Sequence, residues 1–338
     1  MNKSAANTIA EKLESPYSVV SYFCGCGGLD LGFRGGFKYH DKDYTKLPFA
    51  IKAAYDKDAR CVETYNGYFG EGHASVMDLS TIKNVSSIPK AQVLIGGFPC
   101  QEFSSCGPLG GIETERGKLY KTLVDYMKEH QPVITIGENV INLERMDGGA
   151  VLEKIKTDFA NVGYKVIVWN MFAPDYGIPQ RRTRLFIICV RNDIHEKHEF
   201  PTKPIAKFVE KHQSIEWAIG DLVDVRGKTL PNQDQYFGAS RAKNGNGQGD
   251  ENNKKDLPAY TIRANPKSRV QFHYSLKRRL TVRECARIQT FPDDFVFTHA
   301  KTASVSQIGN AVPPILAYSV AKEIAKYLNT MNRGRTNA

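Results

Sequence analysis

The sequence predicts an α/β fold: a doubly wound, mostly parallel sheet with a second, smaller domain. Three observations carry this. Short β-rich runs alternate with helix-like stretches from Ser18 to Val190, the pattern of strands wound with helices. Two of those runs end in glycine-rich turns. The alternation then stops after Val190 and returns only after Arg279.

The runs are Val19 to Phe23, Phe49 to Ala54, Gln92 to Ile95, Val133 to Ile136, Lys165 to Trp169 and Leu185 to Val190. Helix candidates between them include Leu119 to Lys128 and Val151 to Ala160, the latter apolar at 151, 152, 155 and 159, a helical spacing. The link between the last two strands, with Tyr176-Gly177-Ile178-Pro179, is too irregular for a crossover helix, so that pair is expected to be antiparallel. Beyond Val190 one helix-like segment, Ser214 to Leu222, precedes a polar stretch containing Asn244-Gly245-Asn246-Gly247 and Asn252-Asn253-Lys254-Lys255, which reads as loop. A final helix carries Ile315, Leu316, Val320, Ile324 and Leu328 in a stripe. The expected partition is a larger domain, 1–191 with 304–338, a smaller one, 192–280, and a hinge, 281–303.

Composition narrows the class. With 41% hydrophobic and 24% charged residues over 338, the chain matches a globular protein and argues against disorder or coiled coil. The first 17 residues lack an apolar signal region and the longest solid apolar run is Leu185 to Val190, so neither a signal peptide nor a membrane partner is expected. Seven scattered cysteines, an odd number, fit a reducing cytoplasm better than a disulfide framework. The net charge of +10 would draw a polyanion, although many basic enzymes bind none.

Four segments carry candidate chemistry. The first strand runs into Cys24-Gly25-Cys26-Gly27-Gly28, a turn that either admits a ligand to backbone N–H groups at a helix start or is only tight. Asp30 stands where a dinucleotide fingerprint has its third glycine, which disfavours that class. Cys24 and Cys26 have no second pair, so no metal is expected. The third strand ends in Gly96-Gly97-Phe98-Pro99-Cys100, presenting a thiol past the carboxyl end of a strand, where parallel sheets bind ligands; a buried structural cysteine is the alternative. Glu138, after the next strand, is either a rim carboxyl or one tuned for acid–base work. Arg182 and Arg184 open the last strand and would share a face of it, as surface charge or as an anion clamp.

Taken in order, these segments resemble the DNA cytosine-5 methyltransferases, of the prokaryotic restriction–modification type. The resemblance rests on Phe23-Cys24-Gly25-Cys26-Gly27-Gly28, Gly97-Phe98-Pro99-Cys100-Gln101, Glu138-Asn139-Val140, Gln180-x-Arg182-x-Arg184, Arg283-Glu284-Cys285-Ala286-Arg287 with Phe291-Pro292-Asp293, and Gln307-x-Gly309-Asn310-Ala311-Val312-Pro313. It spans 18–191 and about 278–328, and the segment between stands where the family keeps its target-recognition domain.

The resemblance implies a class I methyltransferase fold and S-adenosyl-L-methionine as cofactor. Cys100 would add to C6 of cytosine, Glu138 would serve N3 as an acid, Arg184 would hold O2, and Arg182 would support the site and a nearby phosphate. Phe23 would stack on the adenine with Tyr55 on its other side. Gly25, Cys26, Gly27 and Gly28 would meet the methionine end, Asp78 would accept from the adenine amino group, and Asn310, Ala311 and Val312 would close a pocket completed by Leu79, Pro99 and Leu119. Gln101, Ser104, Arg241, Arg263 and Arg269 would contact double-stranded DNA. Arginine and amide side chains of the polar stretch, including Arg226, are the types that can pair bidentately with base edges, although a solvated linker would read much the same. The target base must leave the duplex to be reached.

Two positions depart from the family pattern. Ala54 stands where an acidic residue usually binds ribose hydroxyls, with Asp56 a substitute only if the loop differs, and Cys106 replaces a common serine. A monomer is expected, with a companion restriction endonuclease as a partner in the same cell. An RNA methyltransferase of the same lineage and a non-catalytic DNA-binding relative are the competing readings.

Overall fold

The computed structural model describes residues 16–99, 119–206, 211–223, 230–236, 251–265, 268 and 271–333. Its centre is a seven-stranded sheet built from β1 (Tyr17–Tyr22), β4 (Phe49–Asp56), β5 (Ala74–Val76), β6 (Val93–Gly96), β7 (Ile134–Val140), β8 (Tyr164–Phe172) and β9 (Thr183–Arg191). A small antiparallel hairpin, β2 (Phe37–Tyr39) and β3 (Lys42–Tyr44), stands apart from it. The strand order is β5-β4-β1-β6-β7-β9-β8. Neighbours from β5 to β7 are parallel, whereas β9 runs antiparallel to both β7 and β8. The expected antiparallel pair is therefore present, and the sheet is mixed at that edge.

The central strands β1, β6, β7 and β9 are buried on both faces, which is why they read as near-continuous apolar runs. Adjacent residues face opposite layers. Val19, Val93, Ile95, Ile136 and Ile188 join one core with α1 (Gly28–Arg34), α2 (Ala59–Phe69) and the 20-residue α9 (Pro314–Arg333). Val20, Leu94, Leu185 and Ile187 join the other, with α3 (Lys121–His130) and α4 (Ala150–Ala160). On α4 the buried positions are Val151, Leu152, Ile155 and Phe159, the stripe the sequence predicts. The hairpin and the three-residue β5 were not anticipated, because segments that short carry too little periodicity to read.

The segment after Val190 begins with the short α5 (Asn192–His195), then α6 (Ile215–Ile219) and, after the polar stretch, α7 (Val282–Ile288) and α8 (Lys301–Asn310). Ile215, Ala218, Ile219, Ala259 and Ile262 share the buried cluster of the first sheet face. Helix α7 starts with a reciprocal cap: the Thr281 hydroxyl accepts from Glu284 N while the Glu284 carboxylate accepts from Thr281 N, as a Thr-x-x-Glu sequence allows. Arg283 is wholly buried and donates to the carbonyls of Pro231, Pro292 and Phe295 at 2.8–2.9 Å. The residues expected to hinge are thus a packed, hydrogen-bonded unit.

Candidate active site

The carboxyl ends of the parallel strands β1, β4, β6 and β7 lie side by side, with Phe23, Tyr55, Pro99 and Glu138 among the described predicted residues at or just beyond them. Glu138 is not beyond its strand but inside β7, opposite Phe186 of β9. It is 7% exposed. Its Oε1 lies 2.8 Å from Arg184 Nε. A methyl group on Gly97 would stand 3.1 Å from Glu138 Oε2, so the carboxyl presses on the backbone two residues before Pro99. Burial pushes the Glu138 carboxyl above its usual range even though Arg184 and Arg182 pull it down; desolvation outweighs two cations.

Asn139 was singled out only as part of the motif, and the structure gives it a task. Its Nδ2 donates to Phe98 O at 3.0 Å while its Oδ1 accepts from its neighbour Val140 N, anchoring the chain leading to Cys100. Cys100, Gln101, Ser104 and Cys106 lie outside the described residues, as do Arg226, Arg241 and Arg269. Pro99, the last residue before that gap, is half-buried, and Leu119, the first after it, is buried.

Arg182 requires a correction. It is 1% exposed, with Nη1 donating to Ile262 O at 3.1 Å and Nη2 to Gly309 O and Ala311 O at 2.8 and 2.9 Å. A guanidinium so enclosed is a strut between β9, the 262 segment and the end of α8, and it does not reach a phosphate. Arg184, by contrast, is half-buried and turned to Glu138.

The cofactor turn is built by its neighbours. Phe23 has φ 54°, an uncommon conformation for a bulky side chain that marks imposed strain. Its ring and that of Tyr55 flank Tyr22, at centroid distances of 6.4 and 6.2 Å. Gly25, also at positive φ, has nothing within 4 Å of where a side chain would stand, and its N–H donates to Asp56 Oδ2 at 2.9 Å. Asp56 Oδ1 accepts from Asp58 N. Asp56 therefore holds the turn, and Ala54 is buried. Gly27 and Gly28 are tight for internal reasons: added methyl groups would meet Phe69 at 2.6 Å and Val312 O at 2.4 Å.

That second contact brings Ala311 and Val312 against the turn, while Asn310 is exposed beside them. Cys26 is buried with its Sγ directed to Gln307 O, and burial drives its thiol, like that of Cys24, far up. Asp78 is exposed and spends Oδ1 on Ser80 N and Oγ, which holds its carboxyl below the usual range; Leu79 beside it is buried. A half-buried Phe23 beside a buried Tyr55, an open glycine and a backbone fixed by Asp56 fit a nucleoside-type cofactor. Among the described residues no cluster of His, Cys, Asp or Glu suits a metal.

Polar residues of the recognition segment divide in two. Asn232, Gln233, Asn253 and Gln271 are buried and stand in for missing backbone partners: Asn232, for example, bonds both Phe297 O and Phe297 N, at 2.8 and 3.1 Å. Asn253, one of the amides of the polar stretch, donates to Phe272 O and accepts from Tyr260 N, so it is scaffold. Arg263 is exposed.

The C-5 cytosine-specific DNA methylase family model matches residues 17–326. The chain belongs to that family. Its enzyme class is accordingly DNA (cytosine-5) methyltransferase. It is 35% identical to the Type II methyltransferase M.MthTI of Methanothermobacter thermautotrophicus, over 92% of this chain and 97% of that one. It is 33% identical to M.NgoPII of Neisseria gonorrhoeae, over 93% and 97%. Among solved structures, the S. pombe Dnmt2 methyltransferase superposes with TM-score 0.63 at 18% identity, covering 94% of this chain and 99% of that chain, a likeness of fold. Among the described residues no helix is long and apolar enough to cross a membrane.

Proposed function

We propose that this enzyme transfers a methyl group to C5 of a flipped-out cytosine within a specific short sequence of duplex DNA, through a covalent bond from Cys100 to C6. The observation that carries the reading is the buried Glu138–Arg184 pair against Gly97, three residues before Cys100 in the sequence. S-adenosyl-L-methionine, when bound, supplies an electrophilic methyl group; Phe23, Tyr55 and the Gly25 to Gly28 turn would hold it, with Asn310 to Val312, Asp78, Leu79, Pro99 and Leu119 around it.

Cytosine C5 is a poor nucleophile, and addition of a thiolate at C6 makes it electron-rich. The sulfur–C6 bond forms as the C5–C6 double bond yields its electrons towards N3. Glu138, whose carboxyl burial pushes up, would donate a proton to N3, relieve that charge and take the proton back as the ring re-forms. Arg184, fixed by the same carboxyl, is placed to donate to O2. After C5 gains the methyl group its proton leaves to a base, the C5–C6 double bond re-forms and the thiolate departs.

DNA would lie between the larger domain, 1–191 with 304–338, and the recognition domain, 192–280, with Gln101, Ser104, Arg241, Arg263 and Arg269 against it. A cytoplasmic monomer protecting the sites of a companion endonuclease is the setting this implies. The test is covalent trapping. DNA containing 5-fluorocytosine should form a denaturation-resistant adduct with the wild-type chain, because fluorine cannot leave C5 as a proton does, and Cys100→Ser should form none. An adduct persisting in Cys100→Ser overturns the assignment.

A further inference from the structure

Where the recognition segment rejoins the catalytic strand, it is not held by a regular ladder. A parallel bridge pairs Gln180 with Ala259, through Ala259 N to Pro179 O at 2.9 Å and Arg181 N to Ala259 O at 2.8 Å. Beyond it, side chains take over. Thr261 Oγ1 donates to Arg181 O at 2.5 Å, and Ile262 N donates to Gln180 Oε1 at 3.0 Å. The Gln180 Nε2 donates in turn to Ile288 O and to Gln289 Oε1. Gln289 then closes the circuit: its Nε2 donates to Ile308 O at 3.0 Å and Ala311 O at 2.6 Å. Both amides are wholly buried.

Three elements meet at this pair, each of which the proposed reaction uses. The 259–264 segment carries the exposed Arg263. The strand continues two and four residues later into Arg182 and Arg184. The Ala311–Val312 backbone rests on the cofactor turn at Gly28. Contact between the first and third is direct as well, since a methyl group on Gly309 would stand 2.3 Å from Ala264 N.

A buried amide seldom stabilises a fold more than an apolar side chain of its size, because its desolvation offsets its hydrogen bonds. What it does impose is one register, since any slip leaves both its donor and its acceptor unpaired. We propose that Gln180 and Gln289 are positioning residues that lock the recognition segment to the catalytic arginine and to the loop behind the cofactor, so that reading the DNA site and aligning the target cytosine occur in one rigid frame. This rests on the functional reading above.

The test uses the full chain with Gln180→Leu and Gln289→Leu, on unmethylated phage genomic DNA. With the frame loosened, kcat should fall about 10- to 100-fold, the scale of a misplacement near 1 Å. KM for DNA should stay within about threefold, since the groups that touch DNA remain. Bisulfite sequencing should show the set of methylated cytosines widening to near-matches. In the wild-type chain, hydrogen exchange should find the Ile262 amide as protected as those of β9 despite its place in a segment without strand structure; this measurement decides if the variants do not fold. Folded variants with wild-type kcat and an unchanged set of sites overturn the proposal, as does an Ile262 amide that exchanges like an exposed loop. A wild-type chain that methylates no cytosine defeats the functional reading instead.

Discussion

Arg184 Nε stands 2.8 Å from Glu138 Oε1, a diagonal contact across the antiparallel pair β7 and β9 in which Arg184 faces Val140 and Glu138 faces Phe186. Diagonal neighbours on one face of a sheet are within reach of a long side chain, so two segments 46 residues apart in sequence supply one ion-paired unit. The arginine attracts the carboxylate, yet burial prevails and pushes the carboxyl above its usual range.

Glu138→Gln should lower the single-turnover methylation rate by about 10²- to 10⁴-fold, the usual worth of a positioned acid. The pH dependence follows from the same shift. Because the folded-state pKa of Glu138 is raised, the protonated form persists to higher pH than for an ordinary carboxyl, and the rate should decline as pH rises through that value. The Gln variant should lack this decline. A wild-type rate in Glu138→Gln removes the residue from the mechanism.

Arg182→Met should destabilise the fold by about 2–4 kcal/mol, because the carbonyls of Ile262, Gly309 and Ala311 lose a buried donor. Denaturant unfolding measures this. The salt dependence of DNA binding should keep its wild-type slope, whereas loss of a phosphate contact would reduce it by about one.

Asp30 is fully buried beneath the cofactor turn, accepting from Ser21 Oγ at 3.0 Å and Tyr65 OH at 3.1 Å. Burial raises its carboxyl from 3.8 to about 6. Between those values the folded chain holds a proton that the unfolded chain has lost, so stability from this group is full below the lower value and declines as pH rises through the upper one. Asp30→Asn should abolish that decline, worth on the order of 2–3 kcal/mol. Thermal melts of both proteins from pH 4 to pH 7 (roughly the window of linkage) check it, and parallel curves would exclude the effect.

Arg263 and Lys254 should separate reading from neutralising. Arg263→Ala should weaken binding at particular base pairs by about 1–3 kcal/mol, while Lys254→Ala should weaken binding to all sequences and lower the salt slope by about one. Competition binding at two salt concentrations distinguishes them, and a uniform loss for Arg263→Ala would make it a phosphate contact.

Six of the seven strands of the central sheet and the two core helices α3 and α4 were legible in the sequence, because each depends on periodicity or on local chain order. So were the motifs, whose residue types and spacing are chemical requirements. What the sequence by itself could not decide was how donors and acceptors are shared between distant segments. Arg182 and Arg184 look equivalent in a line of residues, yet one is enclosed by three carbonyls from 262, 309 and 311 while the other meets Glu138. Asp56 and Ala54 differ by two places, but only packing shows that Asp56 is committed to Gly25 N. Asn253 has the chemistry of a base reader and serves as backbone instead. Residue type sets what a side chain can bond; burial and the unmet backbone groups around it set what it does bond, and those exist only once the chain has closed on itself.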